Sequence, residues 1–116
     1  MIHEEICTYE VCKLAKEKGF PVKEIECWYC EYDGRPTKEI IDERQHPIIT
    51  QSLLQRWLRE EKRIDIAIVP NISAGYSYIV YNILDWDNRV VRTYVGYKTY
   101  ELALEDALKY ALENLV

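Results

Sequence analysis

The chain has 116 residues, of which 48% are hydrophobic and 30% charged, and its formal net charge is −5 at pH 7. This composition is ordinary for a single folded domain, so we interpret residues 1–116 as one domain. The acidic balance argues against nucleic acid as the main partner, because duplex-binding domains carry a basic surface. No apolar run reaches the ~20 residues of a membrane span. The N-terminus is acidic where a signal peptide is basic, so we expect a cytoplasmic protein without membrane contact.

The first part of the chain, residues 1–48, is predicted to form a helix, a strand and a connection. Thr8 can cap the helix and Gly19 can end it, which places the helix over Thr8 to Lys18. Alternating apolar and aromatic side chains over residues 23–32 favour a strand. Residues 35–48 show neither period, and we interpret them as connection, with a short return strand over residues 39–42 as the alternative.

The second part of the chain, residues 49–116, opens with an amphipathic helix. Thr50 can cap this helix, because its hydroxyl can accept from a free amide of the first turn. Apolar side chains recur on one side of the helix, so we expect Trp57 to be buried between it and a sheet. Gln51 is predicted to lie on the outward side.

The last helix is predicted to start after Thr99 and to run over residues 100–115. Its core-facing positions are predicted to be Tyr100, Leu104, Ala107, Leu108, Ala111 and Leu115. Glu105 is expected to lie mostly away from the core and to pair with Lys109, four residues further along the helix.

Three strands are predicted between these helices: the first starts at Ile64 and is stopped by Pro70, and the other two cover residues 76–85 and 90–97. Short turns separate them, which favours an antiparallel meander. The predicted fold class is therefore α+β: a three- to four-stranded antiparallel sheet with two helices packed on one face and an additional N-terminal helix.

Both faces of the predicted sheet are apolar, although an antiparallel sheet with one wet face alternates apolar and polar residues. The helix-facing set in the second strand is predicted to be Tyr76, Tyr78, Val80 and Leu84. The opposite face supplies the candidate interface residues, which are Ile79, Tyr81, Ile83 and Tyr94. We predict that residues 1–48 cover part of this face and that a second copy of the chain covers more of it.

No arrangement of residues typical of an enzyme site is apparent. The sequence contains no phosphate-binding loop, nucleophile elbow or metalloprotease helix, and we assign no catalytic residue and no cofactor. A structural zinc site at Cys7, Cys12, Cys27 and Cys30 is one alternative. The spacing disfavours it, because Cys7 and Cys12 fit the hydrophobic-staple positions of the first helix. Cys27 and Cys30 would point to opposite faces of a strand.

The order helix-strand-strand-strand-helix resembles the topology of double-stranded-RNA-binding domains. A degenerate nucleic-acid-binding module is therefore the other alternative. Its basic stripe would consist of Arg56, Arg59, Lys62 and Arg63. In that family the second helix opens with lysines that grip phosphates, whereas here Glu101, Glu105 and Asp106 occupy the matching turns.

Three blocks of the sequence carry a further resemblance: CTYEVCKLAKEKGF, TQSLLQRWLREEKRIDIAIVP and TYELALEDALKYAL. Together they resemble a family of small uncharacterised proteins from phage and mobile-element regions of gut anaerobic bacteria. The resemblance implies a shared fold and a cytoplasmic location. It does not indicate any particular activity. The leading functional hypothesis is a non-enzymatic domain that acts through protein contacts or self-association, because the sheet has surplus apolar surface.

Overall fold

The computed structural model describes residues 5–21, 28–29, 36–37, 46–71, 73, 75–84 and 90–116, without the side chains of residues 28–29, 36–37, 46–47, 71 and 90–95. In chain order its elements are α1 (Tyr9–Glu17), β1 (Trp28–Tyr29), β2 (Pro36–Thr37), β3 (His46–Pro47), α2 (Gln51–Glu61), β4 (Ile64–Asn71), β5 (Gly75–Asn82), β6 (Val90–Tyr97) and α3 (Tyr100–Asn114). Helices and antiparallel sheets together confirm the predicted α+β class.

Each of the three helices begins at a threonine, as the sequence predicts. Thr8, Thr50 and Thr99 have extended backbones, and each side chain accepts a hydrogen bond from the N–H three residues later. The three oxygen-to-nitrogen distances are 3.3, 3.2 and 3.1 Å. A cap of this kind satisfies one of the free amides of the first turn, so local chemistry sets where the helices start.

The main sheet has the strand order β4-β5-β6, with both neighbouring pairs antiparallel, and this confirms the predicted meander. Its second strand is shorter than predicted and ends at Asn82. The Asn82 side chain accepts a hydrogen bond from the N–H of Leu84 at 3.1 Å, and this local bond turns the chain out of the ladder. The prediction that Leu84 faces the helices is therefore wrong, since its side chain is 74% exposed.

A second sheet is formed by three strands of two residues each, in the order β2-β1-β3. In this sheet β1 lies within the strand predicted over residues 23–32, and the rest of that stretch is outside the described residues. The interpretation of residues 35–48 as connection is wrong where β2 and β3 pair with β1. Two-residue strands are too short to produce a hydrophobic period. The alternative return strand over residues 39–42 lies outside the described part of the chain.

The core is built around α3, which contacts α1, α2 and all three strands of the main sheet. Two adjacent stripes of α3 are buried: Ala103, Ala107 and Ala111, and Leu104, Leu108 and Leu112. The sheet contributes Ile64, Ile66, Tyr78 and Val80 to the same cluster, and α2 contributes Leu54 and Leu58. The helix α3 is therefore buried on two sides and connects the main sheet to α1 and α2.

Trp57 is half-buried and packs against the core cluster, so its expected burial is confirmed only in part. Its ring packs edge-on against Phe20, with 5.4 Å between ring centroids. Lys62 Nζ lies 5.4 Å from the Trp57 ring centroid. The buried side of α2 is centred instead on Gln51, Leu54 and Leu58. Trp57 lies beside this side and shields its edge.

Candidate functional site

The predicted interface residues of β5 lie opposite the face that packs on the helices. In the register, Ile79 pairs with Ala67 and Tyr81 pairs with Asp65, whereas the buried Val80 pairs with Ile66. Because side chains alternate along a strand, Ile79 and Tyr81 share the face that Val80 does not use. Both are half-buried.

The other two predicted residues are placed differently. Ile83 follows the end of β5, where its N–H donates to the carbonyl of Arg63 at 2.9 Å, and its side chain is 43% exposed. Tyr94 pairs in register with Tyr78 rather than with Ile79. The backbone therefore aligns position 94 with a strand position of the helix-packed face, and the side chain of Tyr94 is outside the described structure.

We call Asp65, Ala67, Val69, Ile79 and Tyr81, together with Ile83 directly after β5, the second face of the main sheet. Val69 is 41% exposed, and its carbonyl accepts a hydrogen bond from the Ser77 hydroxyl at 3.2 Å. The helices α2 and α3 contact the main sheet. On the side of the sheet that faces them, Ile66 and Val80 belong to the core cluster. The helix α1 packs against α3 and β3. Of the helices in the described structure, none packs on the second face.

A second feature of the structure is a polar cluster that links the starts of two helices to the middle of α3. Glu105 Oε2 accepts hydrogen bonds from the backbone N–H and the hydroxyl of Thr8, both at 3.0 Å. Glu105 Oε1 accepts from Gln51 Nε2 at 3.0 Å, and the same nitrogen lies 3.0 Å from the carbonyl of Glu101. A carboxylate at two helix N-termini is electrostatically favourable, so this arrangement stabilises the junction.

This cluster corrects two expectations. Gln51 is only 4% exposed instead of lying on the outward side of α2. Glu105 binds Thr8 and Gln51, while Lys109 pairs with Glu10 at 3.0 Å and with Glu113 at 3.9 Å. The hydrogen bond to Glu10 raises the pKa of Lys109.

A short antiparallel bridge brings the starts of α1 and α2 side by side. Ile6 pairs with Thr50, the N–H of Cys7 donates to the carbonyl of Ile49 at 2.9 Å, and the N–H of Gln51 donates to the carbonyl of Glu5 at 2.9 Å. Each segment leads directly into its own helix. The bridge therefore places the first residues of α1 and α2 next to each other, beside the start of α3.

An open groove of about 380 Å³ lies where the three helices begin, and we call it the helix-end groove. Its apolar lining comes from Ile6 and Leu102, which are 48% and 54% exposed. Its polar lining includes the carboxylates Glu5, Glu101 and Glu105. No sequence pattern indicates this groove, because its residues come from three separate stretches of the chain.

Two of the four cysteines lie in the core, next to this junction. Cys7 and Cys12 are 1% and 0% exposed, and Cys12 Sγ lies 3.7 Å from the carbonyl oxygen of Cys7. A hydrogen bond with Cys12, together with burial, raises the pKa of Cys7. Within the described residues, no group of three or more His, Cys, Asp or Glu side chains is arranged to hold a metal ion. Cys27 and Cys30 lie outside those residues.

Comparison with known proteins identifies no relative: the chain matches no protein-family model, and no curated protein or solved structure is significantly similar to it. Among the helices of the described residues, none has both the length and the apolar character that crossing a membrane requires.

Replacing Glu105 by alanine is expected to lower the free energy of unfolding by about 1–3 kcal/mol. The buried amide of Gln51 and the N–H of Thr8 would each lose an acceptor. Chemical denaturation measures the effect, and Glu113→Ala on the exposed side of the same helix is the control, with an expected change within about 0.5 kcal/mol. A double-mutant cycle with Gln51→Ala should show coupling of roughly 0.5–3 kcal/mol. Equal losses for Glu105→Ala and Glu113→Ala, with no coupling, would contradict a stabilising role for the cluster.

Proposed function

We propose that this chain is a non-enzymatic protein-interaction domain that self-associates through the second face of its main sheet. The observation that carries the proposal is the apolar surface on the side of the sheet away from α2 and α3. Val69 and Ile83 are large apolar side chains, and each exposes more than 40% of its surface. Ile79 and Tyr81 extend this surface as half-buried neighbours.

The energetics of burial favour a partner on this surface. Complete burial of an isoleucine or valine side chain is worth about 1.5–3 kcal/mol, so covering the exposed fractions of Val69 and Ile83 would contribute a useful part of a binding free energy. A two-fold symmetric dimer presents the same patch from both chains. The second face suits this arrangement because most of its residues are apolar or uncharged.

Contacts on α2 support a protein partner over nucleic acid. Arg56 Nε lies 3.2 Å from Glu60 Oε1, and Lys62 lies over the ring of Trp57. These interactions engage half of the basic stripe that a nucleic-acid-binding module would use. Glu101 lies in the first turn of α3 and Glu105 lies one turn further along, and these carboxylates would repel a phosphate backbone.

Sedimentation velocity over the micromolar range tests self-association. We expect the sedimentation coefficient to rise with concentration toward that of a dimer, and Ile83→Lys to weaken the dimer by about tenfold or more, because a charge would be placed in an apolar interface. Leu53→Lys is the matched control, since Leu53 is also 43% exposed but lies on α2.

A monomer at all concentrations would refute the proposed dimer. Equal weakening by Ile83→Lys and Leu53→Lys would show that the second face is not the interface. Circular dichroism of each variant establishes that the comparison is made between folded proteins.

A further inference from the structure

We propose that the helix-end groove binds an extended segment of a partner protein in which an apolar side chain is flanked by lysine or arginine. This is a second interaction surface, distinct from the second face of the sheet. It rests on three observations: the exposed apolar lining of the groove, the sign of its charge, and an open backbone edge beside it.

The apolar lining is the first observation. Ile6 and Leu102 come from opposite ends of the sequence, yet both line the same groove and both leave about half of their surface exposed. A volume of about 380 Å³ has room for apolar side chains of a bound segment. Covering Ile6 and Leu102 with such a side chain would remove apolar surface of both partners from water.

The charge of the groove defines the flanking residues of the partner. Three carboxylates line the groove and no lysine or arginine does. Three helix N-termini contribute roughly +0.5 elementary charge each, which offsets about half of the carboxylate charge and leaves the groove negative. Glu105 is already bound by Thr8 and Gln51. Glu5 and Glu101 form no ion pair with any lysine or arginine in the described structure, so they are available to a cation of the partner.

The backbone beside the groove favours an extended partner. The bridge between Ile6 and Thr50 uses the carbonyl of Glu5 and the N–H of Cys7. In an antiparallel pair the N–H and C=O of the intervening residue point to the other side of the strand. For Ile6, no backbone hydrogen bond in the described structure uses these two groups. An exposed edge of this kind can pair with an incoming strand.

A short capped peptide in which leucine alternates with lysine is the probe. We expect saturable binding by isothermal titration calorimetry, and weaker binding at high salt because exposed charges are screened. Replacing the lysines of the peptide by glutamate, or its leucines by serine, is expected to weaken binding by about tenfold or more. Absence of saturable binding, or equal binding of the glutamate peptide, would overturn the proposal.

Variants of the protein locate the site. Glu101→Lys is expected to weaken binding by about threefold or more relative to Glu61→Lys, an exposed charge reversal at the far end of α2. Leu102→Ser is expected to weaken it by roughly five- to tenfold relative to Leu84→Ser, which changes an exposed leucine outside the groove.

Equal affinities of each variant and its control would overturn the assignment of the groove. Sedimentation of Leu102→Ser separates this proposal from the proposed dimer. An unchanged dimer with weakened peptide binding supports two distinct surfaces, whereas a lost dimer would show that a second copy fills the groove and would refute the peptide partner.

Discussion

Leu108→Ala is expected to lower the free energy of unfolding by about 2–5 kcal/mol. Leu108 has no exposed surface and lies in the stripe of α3 that belongs to the core cluster with the sheet. Removing three carbons would leave a cavity between elements that cannot easily move together, because α3 is held from both sides. Such a loss is a large part of the stability of a small domain.

Leu102→Ala on the same helix is the control for this prediction. Its side chain is 54% exposed, so its truncation should cost well under half as much as that of Leu108. Urea denaturation of both variants measures the difference. Similar midpoints for the two would contradict the burial of α3 on two sides.

Gly75→Ala is expected to destabilise the fold by roughly 2–6 kcal/mol, because it combines backbone strain with a steric clash. Gly75 has a φ of +82°, which side chains rarely tolerate. A Cβ built there would lie 2.3 Å from the carbonyl oxygen of Tyr97 on the strand β6. Relief requires movement of backbone, since the obstructing atom is not the end of a flexible side chain.

Gly96→Ala separates the two causes. Gly96 has a φ of +103°, but no atom lies within 4 Å of a Cβ built on it. Gly96→Ala should therefore lower the free energy of unfolding through backbone strain alone, by about 1–3 kcal/mol. Thermal unfolding of both variants is the measurement, and a Gly75→Ala protein as stable as Gly96→Ala would show that the close approach of Tyr97 is not limiting.

Features that depend on neighbouring residues were predictable from the sequence. The threonine caps and the period of each strand act over a few residues, and they led to correct positions for all three helices and for the meander. Leu84 shows where this approach fails. The alternation of side chains along β5 predicts that the strand includes Leu84. However, the side chain of Asn82 accepts a hydrogen bond from the N–H of Leu84, and the strand ends earlier. Competition from one side chain is invisible to a count of apolar positions.

Features that depend on distant residues were not predictable. The hydrogen bonds between Thr8 and Glu105 join residues 97 positions apart. The helical period places Glu105 on the outward side of α3, which is correct for an isolated helix and wrong once α1 and α2 begin beside it. One signal was present: Ala103, Ala107 and Ala111 form a stripe of small residues, typical of a helix that lets neighbours approach closely. It lies beside a leucine stripe, and together they indicate burial on two sides.

The dependence of α1 on α3 has a consequence for biosynthesis. With nine residues, α1 is too short to be a stable helix alone. Its anchoring contacts, from Thr8 to Glu105 and from Glu10 to Lys109, require a segment that a ribosome produces about 100 residues later. At typical elongation rates that interval lasts roughly 5–20 s. During that time Val11, Cys12 and Ala15 have no α3 to pack against, so the nascent chain presents apolar residues and a thiol to chaperones and oxidants that the folded protein excludes.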